Sequence, residues 1–331
     1  MIERLSCIYS TGTDPYENLA LEEHLLGVVE PGECILYLWQ NRSTVVIGRN
    51  QNCWRECRVT QLEKDGGHLA RRLSGGGAVY HDLGNLNFTF LVPREEYDVE
   101  KQTRVILSAV RSFGIPAERT GRNDLTVAGR KFSGHAYYRT DKVCYHHGTL
   151  LLHADERAME KYLSVSREKL SAKSVDSIRS RVCNLDECSP NVSVSAMENA
   201  LLSACSEVYS LPFLPLADER LDGDALRKLA EKYASPEWKY NRRLPFEYAL
   251  DGRFDWGEVQ LQLHVADGRI ADIAVCSDAL DTTFPDLVRA ALLHIPFVGA
   301  AVKNAFAALP ATEEPRAQML RDTEKLLLEA M

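Results

Sequence analysis

No apolar run in this 331-residue chain is long enough to cross a bilayer; the most hydrophobic stretch, between Arg289 and Lys303, is broken by His294 and Pro296. The opening residues, Met1-Ile2-Glu3-Arg4-Leu5-Ser6-Cys7, lack the basic segment and apolar block of a secretory signal. Cysteines number nine, an odd count at no small-scaffold spacing, so reduced thiols are expected rather than a disulfide framework. Basic side chains are fewer than acidic ones, 39 against 47, which argues against a protein that lives on nucleic-acid phosphates. No internal repeat, low-complexity tract or obvious interface motif is present. These absences predict a soluble cytoplasmic protein, monomeric, with no nucleic-acid or membrane partner.

What is present is ordinary globular composition, 45% apolar and 26% charged, over a length that suggests about two domains. The spacing predicts a helix over Asn18–Val29, with Leu21, Leu25 and Leu26 on one face and Glu22 and Glu23 on the other. Short apolar runs at Ile35–Trp39, Thr44–Ile47, Ala78–Tyr80, Phe88–Val92 and His147–Leu152 read as strands, and a further strand pair is expected around the Ala128-Gly129 turn. Asp98 caps a helix that Gly114 and Pro116 stop, and helices are expected at Glu156–Leu163 and Val194–Tyr209. After Pro245, Val259, Leu261, Leu263 and Val265 alternate with polar residues. Asp267-Gly268 is a hairpin signal, Ile270–Val275 returns, and helices run to Arg316–Glu329. The expected fold class is α/β (α+β), with a large domain at 1–245 and a small α+β unit at 246–331. The polar stretch Pro236-Glu237-Trp238, followed by Asn241-Arg242-Arg243, reads as a linker between them.

Chemistry concentrates in a few segments. Arg71-Arg72-Leu73-Ser74-Gly75-Gly76-Gly77-Ala78-Val79-Tyr80-His81-Asp82 strips every Cβ from one turn, so backbone N–H groups can approach an anion, and two guanidinium groups stand beside it. A bare glycine triplet with surface arginines is the bland alternative; the added serine and histidine favour an anion site. Neither a P-loop nor a dinucleotide fingerprint fits, because Ala78-Val79-Tyr80 occupies the positions those motifs reserve for lysine, serine or glycine. Asn123-Asp124 before an apolar run offers an amide and a carboxylate of the kind that hold hydrated magnesium, and Lys131 could be a fixed ammonium or merely an exposed one. His146 and His147, adjacent on a strand, point to opposite faces and cannot easily share one ion. Cys53-x3-Cys57 and Cys183-x4-Cys188 lack the usual zinc spacing, and small buried thiols explain them more cheaply. Lys173–Arg181 is either a solvated loop or a flap that closes on an anionic intermediate.

Taken in order, Arg71-Arg72-x-Ser74-Gly75-Gly76-Gly77-Ala78-Val79-Tyr80-His81-Asp82-Leu83-Gly84-Asn85, Gly121-Arg122-Asn123-Asp124-Leu125, Arg130-Lys131-x-Ser133-Gly134, His146-His147-Gly148-Thr149-Leu150-Leu151 and Ser177-Ile178-Arg179-Ser180-Arg181-Val182 resemble the signature of the lipoate–protein ligase A family. The early helix, Val45-Val46-Ile47-Gly48-Arg49 and the small C-terminal unit match as well, so the resemblance spans essentially the whole chain.

The resemblance implies a catalytic domain of the biotin/lipoate cofactor-transferase type with a small accessory domain. It implies a ligase using ATP and Mg2+ to turn lipoate or octanoate into an acyl adenylate. The acyl group then passes to a lysine of an apo lipoyl domain of a 2-oxoacid dehydrogenase complex, or of the glycine-cleavage H protein. Arg72, Gly77, Ala78, Val79 and Tyr80 are implied at the nucleotide, Lys131 at both nucleotide and lipoate, and Ser74, His81 and His147 at lipoate, with an apolar channel beside His81 for its acyl chain. Asp124 is the expected magnesium ligand, and Lys173, Arg179 and Arg181 are expected in the flap over the adenylate. The nearest rivals are an octanoyl or lipoyl transferase without adenylation activity and a non-catalytic binder on the same scaffold. The thioester branch places a cysteine where Thr120, Gly121 and Arg122 stand here.

Overall fold

The computed structural model describes residues 1–10, 12–120, 124–164, 182–240, 248–310 and 313–329. It divides into two compact units, one of Met1–Ile47, Trp54–Arg72 and Ala78–Lys239, the other of Gly48–Cys53, Leu73–Gly77 and Tyr240–Met331. Among the described residues no helix is long and apolar enough to cross a membrane.

The first unit contains, in chain order, β1 (Arg4–Tyr9), α1 (Pro15–Val28), β2 (Glu33–Trp39), β3 (Thr44–Ile47), β4 (His68–Arg71), β5 (Val79–His81), β6 (Asn85–Pro93), β7 (Glu118–Thr120), β8 (Asp124–Val127), β9 (Arg130–Arg139), β10 (Val143–Leu151) and β11 (Phe213–Pro215). Eight strands form one mixed sheet in the order β11-β1-β2-β6-β10-β9-β8-β7, and β4-β3-β5 form a small second sheet. α1 starts three residues earlier than its apolar spacing predicts, because Asp14 accepts hydrogen bonds from the Tyr16 and Glu17 amides and Pro15 opens the first turn.

The two faces of the large sheet have opposite chemistry. On one, Leu36, Leu38, Phe88 and Phe90 pack with Val105, Ile106, Met197 and Leu201 in a continuous apolar core. The last four sit on the helices Val99–Arg111, capped by Asp98 as expected, and Val194–Tyr209, capped by Ser193. On the other face the strand registers align Tyr37, Thr89, His147 and Ala136 in one row, and Trp39, Asn87 and Thr149 in the next. α1 covers this polar face.

In the second unit, β12 (Tyr248–Phe254), β13 (Gly257–Ala266) and β14 (Arg269–Ser277) form an antiparallel sheet. Asp267 and Gly268 both take positive φ, 50° and 70°, as the two-residue hairpin signal requires. Val259, Leu261, Ile273, Phe284, Val288, Val302 and Leu327 build its core. Two short segments from the N-terminal half group with this unit. Ser277 N–H donates to the Asn50 carbonyl at 3.0 Å, and a Cβ on Gly75 would lie 2.1 Å from the Ala279 oxygen, so residue 75 cannot carry a side chain without moving that strand end.

The stretch expected to be a linker is partly something else. Pro236–Tyr240 is helical, its Trp238 Nε1 donates to the Arg71 carbonyl at 2.8 Å, and Arg71 Nε donates back to the Trp238 carbonyl at 2.9 Å. A tryptophan in a polar run was the signal for an anchored segment. Asn241-Arg242-Arg243 lie outside the described residues.

One buried ion pair ties β1 and β2 to the segment after β11. The Glu33 side chain is fully enclosed, with Arg220 Nη1 and Nη2 each 2.7 Å from one carboxylate oxygen and Ser6 Oγ at 2.5 Å. Burial pushes the Glu33 carboxyl upward, but these donors outweigh it and hold it down at about 2. Replacing Arg220→Met is expected to cost about 2–3 kcal/mol of stability near neutral pH, measured by urea unfolding. Because the Glu33 pKa is depressed by folding, its contribution is present above its ordinary value of 4.5 and fades as pH falls toward about 2. The difference between variant and parent should therefore shrink over that window.

Candidate active site

The polar face under α1 is organised around a carboxylate. Glu22 was expected on the solvated side of its helix; it is buried instead, 2% exposed, and Glu23 is the one that reaches outward, to Lys232 at 2.7 Å. Glu22 Oε1 accepts from Thr89 Oγ1 at 2.7 Å and lies 2.7 Å from His147 Nδ1. Thr89 Oγ1 in turn accepts from Trp39 Nε1 at 3.1 Å. Asn18, Glu22 and Leu25 follow the i, i+4, i+7 spacing and are all buried, which was the legible signal that this stripe faces inward.

A second network fixes His81 at the end of β5. Asn18 Nδ2 donates to the Gln40 carbonyl at 2.8 Å, which sets its amide orientation, and the same nitrogen donates to Asn41 Oδ1 at 2.9 Å. Asn41 Nδ2 is thereby left as the donor facing His81 Nδ1, 3.1 Å away. His81 must accept there and carry its proton on Nε2, a buried atom with no partner among the described residues. Burial, followed by the fields of Arg72 and His147, pushes the imidazole down to about 3. The ring is neutral, edge-on to Trp39, and presents an unsatisfied N–H.

Arg72 follows β4. It is 5% exposed, its amide donates to the Ile47 carbonyl and its Nη1 to the Val46 carbonyl, both at 3.1 Å. Burial lowers its pKa to about 10, with Tyr145 and Glu22 supporting the charge, so it stays cationic. Val79 and Tyr80 pair with Val46 and Val45 on β3, and the Tyr80 ring packs on Tyr162 with centroids 5.7 Å apart. Whatever these two offer a ligand comes from the backbone rather than from the Tyr80 ring.

Lys131 starts β9. A register shift at Leu125/Thr126 accompanies the close approach of β8, and Lys131 Nζ meets Asp124 Oδ1 at 2.7 Å, both side chains nearly half exposed. Gly134 makes room for it: a Cβ there would lie 2.9 Å from both Cε and Nζ of Lys131. Behind this strand runs a buried relay in which Ser133 Oγ, His135, His146 and Gln102 are linked at 3.1, 3.0 and 3.1 Å. Burial drives His135 to about 3 and His146 well below its ordinary value, so both rings are neutral struts. His146 and His147 do project to opposite faces, as their adjacency on a strand requires.

The first unit thus assembles Arg72, Val79, Tyr80, His81, Asp124, Lys131 and His147, with Ala78 leading into β5. Ser74 and Gly77 belong to the second unit's loop. Of the three glycines, Gly75 is needed for backbone approach to Ala279 and Gly76 takes φ 87°, whereas a Cβ on Gly77 would meet nothing within 4 Å. The triplet is therefore two structural glycines and one open position. Lys173, Arg179 and Arg181, the expected flap, lie outside the described residues, as does Asn123. Sequence reasoning missed Glu22, Thr89, Trp39 and Asn41, which only the sheet register brings together.

Chemically, this face suits an amphipathic ligand with an anionic head. It offers two cations, a buried imidazole N–H, and aromatic and small residues along the rows between them.

Comparison with known proteins agrees with that chemistry. The model of the lipoyl protein ligase A/B catalytic domain matches residues 14–206, and that of the bacterial lipoate protein ligase C-terminus matches residues 244–327. A lipoate-protein ligase A of Psychrobacter cryohalolentis is 35% identical over 336 residues, covering 99% of each chain. The solved structure of P. falciparum LipL1 in complex with lipoate is similar with a TM-score of 0.85 and 27% identity, covering 98% of this chain and 99% of that one. A structure of lipoate-protein ligase A bound with ATP is similar at 0.63 and 26%, covering 72% of this chain and 99% of the other.

The His81 network makes a direct prediction. Nitrogen-detected NMR of the imidazoles should find one ring locked as the Nε2–H tautomer with no titration between about pH 8 and 5, where an ordinary histidine protonates. Asn41→Leu should abolish that tautomer preference.

Proposed function

The chain belongs to the lipoyl protein ligase A/B catalytic-domain family, and we propose that it attaches lipoate to proteins through an acyl adenylate, with Lys131 serving both halves of the activation step. The activity is that of an ATP-dependent lipoate–protein ligase. In the first step a lipoate carboxylate oxygen attacks the α-phosphorus of ATP; the bond to the bridging oxygen breaks, and lipoyl-AMP and pyrophosphate result. In the second, a lysine ε-amine attacks the acyl carbon, AMP leaves, and an amide remains. The acceptor is a lysine of a lipoyl domain of a 2-oxoacid dehydrogenase complex or of the glycine-cleavage H protein, and octanoate is the alternative acyl substrate. Residues 1–245 carry the chemistry and residues 246–331 act as the accessory domain.

The observation that carries this reading is the placement of Lys131 above Gly134, at the edge of the polar face that Glu22, His147 and His81 line. The first step brings two anions together, so it needs cationic charge held in position before reaction. An ammonium on a braced strand supplies it, and Arg72, buried and permanently charged, supplies a second cation for the nucleotide. Gly77, Ala78, Val79 and Tyr80 contribute through main-chain groups. Ser74, His81 and His147 are the lipoate contacts, with the His81 Nε2–H as the donor that awaits a ligand acceptor. Trp39 and Ala136 provide apolar wall for the acyl chain. Walls of this kind also keep water from an adenylate that would hydrolyse.

Magnesium fits the donor set. Mg2+ takes one or two carboxylates together with phosphate oxygens, and Asp124, nearly half exposed beside Lys131, offers one. Among the described residues no group of three His, Cys, Asp or Glu side chains could hold a metal without substrate. When bound, the ion spreads the charge of the departing pyrophosphate.

Lys131→Ala should lower lipoyl-AMP formation by about 100-fold or more while circular dichroism and the thermal midpoint stay near the parent's. Gly134→Ala should act in the same direction, because the added methyl displaces the ammonium without touching the apolar core. Adenylate formation near the parent rate in Lys131→Ala contradicts the role given to that residue.

A further inference from the structure

Cys183 and Cys188 take no part in the reaction described above, yet their sulfurs stand 3.5 Å apart across the single 3₁₀ turn Leu185–Glu187. Cys183 is buried and Cys188 exposed. The turn between them is braced at both ends. Asn184 Oδ1 accepts from the Ala154 amide at 2.8 Å and its Nδ2 donates to the Ala154 carbonyl at 3.0 Å. Arg130 Nη1 donates to Glu187 Oε2 at 3.0 Å. The thiols are thus held as neighbours by contacts that do not involve sulfur, and a modest side-chain movement brings them to bonding distance, about 2.0 Å.

The same turn is stitched to Lys131. Cys183 N–H donates to the Lys131 carbonyl at 2.8 Å, and Val182 forms a parallel bridge with Lys131. A bond formed at Cys183 therefore acts on the backbone from which the Lys131 ammonium projects. The two thiols also differ in reactivity. Burial, aided by the adjoining Cys188, pushes the Cys183 thiol up to about 12, so it stays protonated, and the exposed Cys188 is the one a solute meets.

We propose that Cys183 and Cys188 are a redox modification site: a hydroperoxide closes a reversible disulfide between them, and that bond slows activation by disturbing the strand that carries Lys131. The Cys188 thiolate attacks one peroxide oxygen and takes the hydroxyl, giving a sulfenic acid and releasing hydroxide, which takes up a proton to become water. The Cys183 sulfur then attacks the Cys188 sulfur; the S–O bond breaks, and the Cys183 proton leaves with the hydroxyl as a second water. Two thiols lose two hydrogens and two electrons, and one hydrogen peroxide becomes two waters. A dithiol reductant reverses the change by exchange.

The effect on rate rests on the role proposed for Lys131; the formation of the bond does not. The test uses the full chain, reduced and then treated with hydrogen peroxide, quenched with iodoacetamide in denaturant and digested. The expected result is a peptide in which Cys183 and Cys188 are joined, two hydrogens lighter than the dithiol and unalkylated, which becomes dialkylated after dithiothreitol. Lipoyl-AMP formation should fall as this peptide appears and recover with dithiothreitol. In Cys188→Ser, a surface change outside the site, the rate should resist peroxide. Both thiols alkylated after peroxide, or Cys188 carried on to sulfinic acid with Cys183 free, overturns the site. Equal loss of rate in Cys188→Ser overturns its coupling to Lys131. Absence of adenylate from the untreated chain contradicts the reading of Lys131 instead, and the peptide map still decides whether the bond forms.

Discussion

A buried carboxylate sets the character of this protein. Glu22, pulled under α1 and held by Thr89 and His147, turns one face of an eight-stranded sheet into a polar floor, while the opposite face carries an apolar core and the buried His135–His146 relay. A polar group out of water is costly unless it is hydrogen-bonded. The helix is therefore tied to β6 and β10 at one place, and Trp39 is oriented through the shared threonine. The field of Glu22 also helps keep Arg72 charged despite its burial. Fold and site share this contact.

The chemistry follows from how charges are distributed over that floor. Arg72 is fixed by main-chain bonds and is nearly inaccessible, so its cation is permanent and directional. Lys131 is different: nearly half exposed and balanced by Asp124, it exchanges that partner for a substrate phosphate or carboxylate in the reaction we propose. Burial keeps His81, His135 and His146 neutral. His81 offers a donor, while His135 and His146, behind the sheet, brace β9 through a hydrogen-bonded chain. A reaction that joins a carboxylate to a phosphate needs this combination of fixed and exchangeable cations on a rigid support.

Much of this was legible in the sequence, and the exceptions have physical reasons. Asp98, Asp267-Gly268 and the Val194–Tyr209 and Arg316–Glu329 helices were read correctly because caps, turns and helical spacing are local signals. The motif order around Gly75-Gly76-Gly77, Lys131 and His147 pointed to the family. What local signals could not show was pairing across the sheet. Glu22 looked solvated because a lone helix gives no hint of a threonine and a histidine from distant strands beneath it. β1 and β4, short and flanked by polar residues, gave too little alternation to be read, although both pair in parallel inside the folded unit. Trp238 hid in a polar run, yet its indole and the Arg71 guanidinium bond to each other's backbone. The triplet of glycines was read as one anion cradle; the added demands, packing of Gly75 on Ala279 and the positive φ of Gly76, lie outside any local signal.

The most direct test of the account is the intact mass of an apo lipoyl domain incubated with the purified protein, lipoate and ATP-magnesium. The account predicts a gain equal to one lipoyl group on the acceptor lysine, dependent on ATP and accompanied by AMP and pyrophosphate. An acceptor that stays unmodified with ATP, yet gains the group when synthetic lipoyl-AMP is supplied, would contradict the claim that this site activates its own substrate.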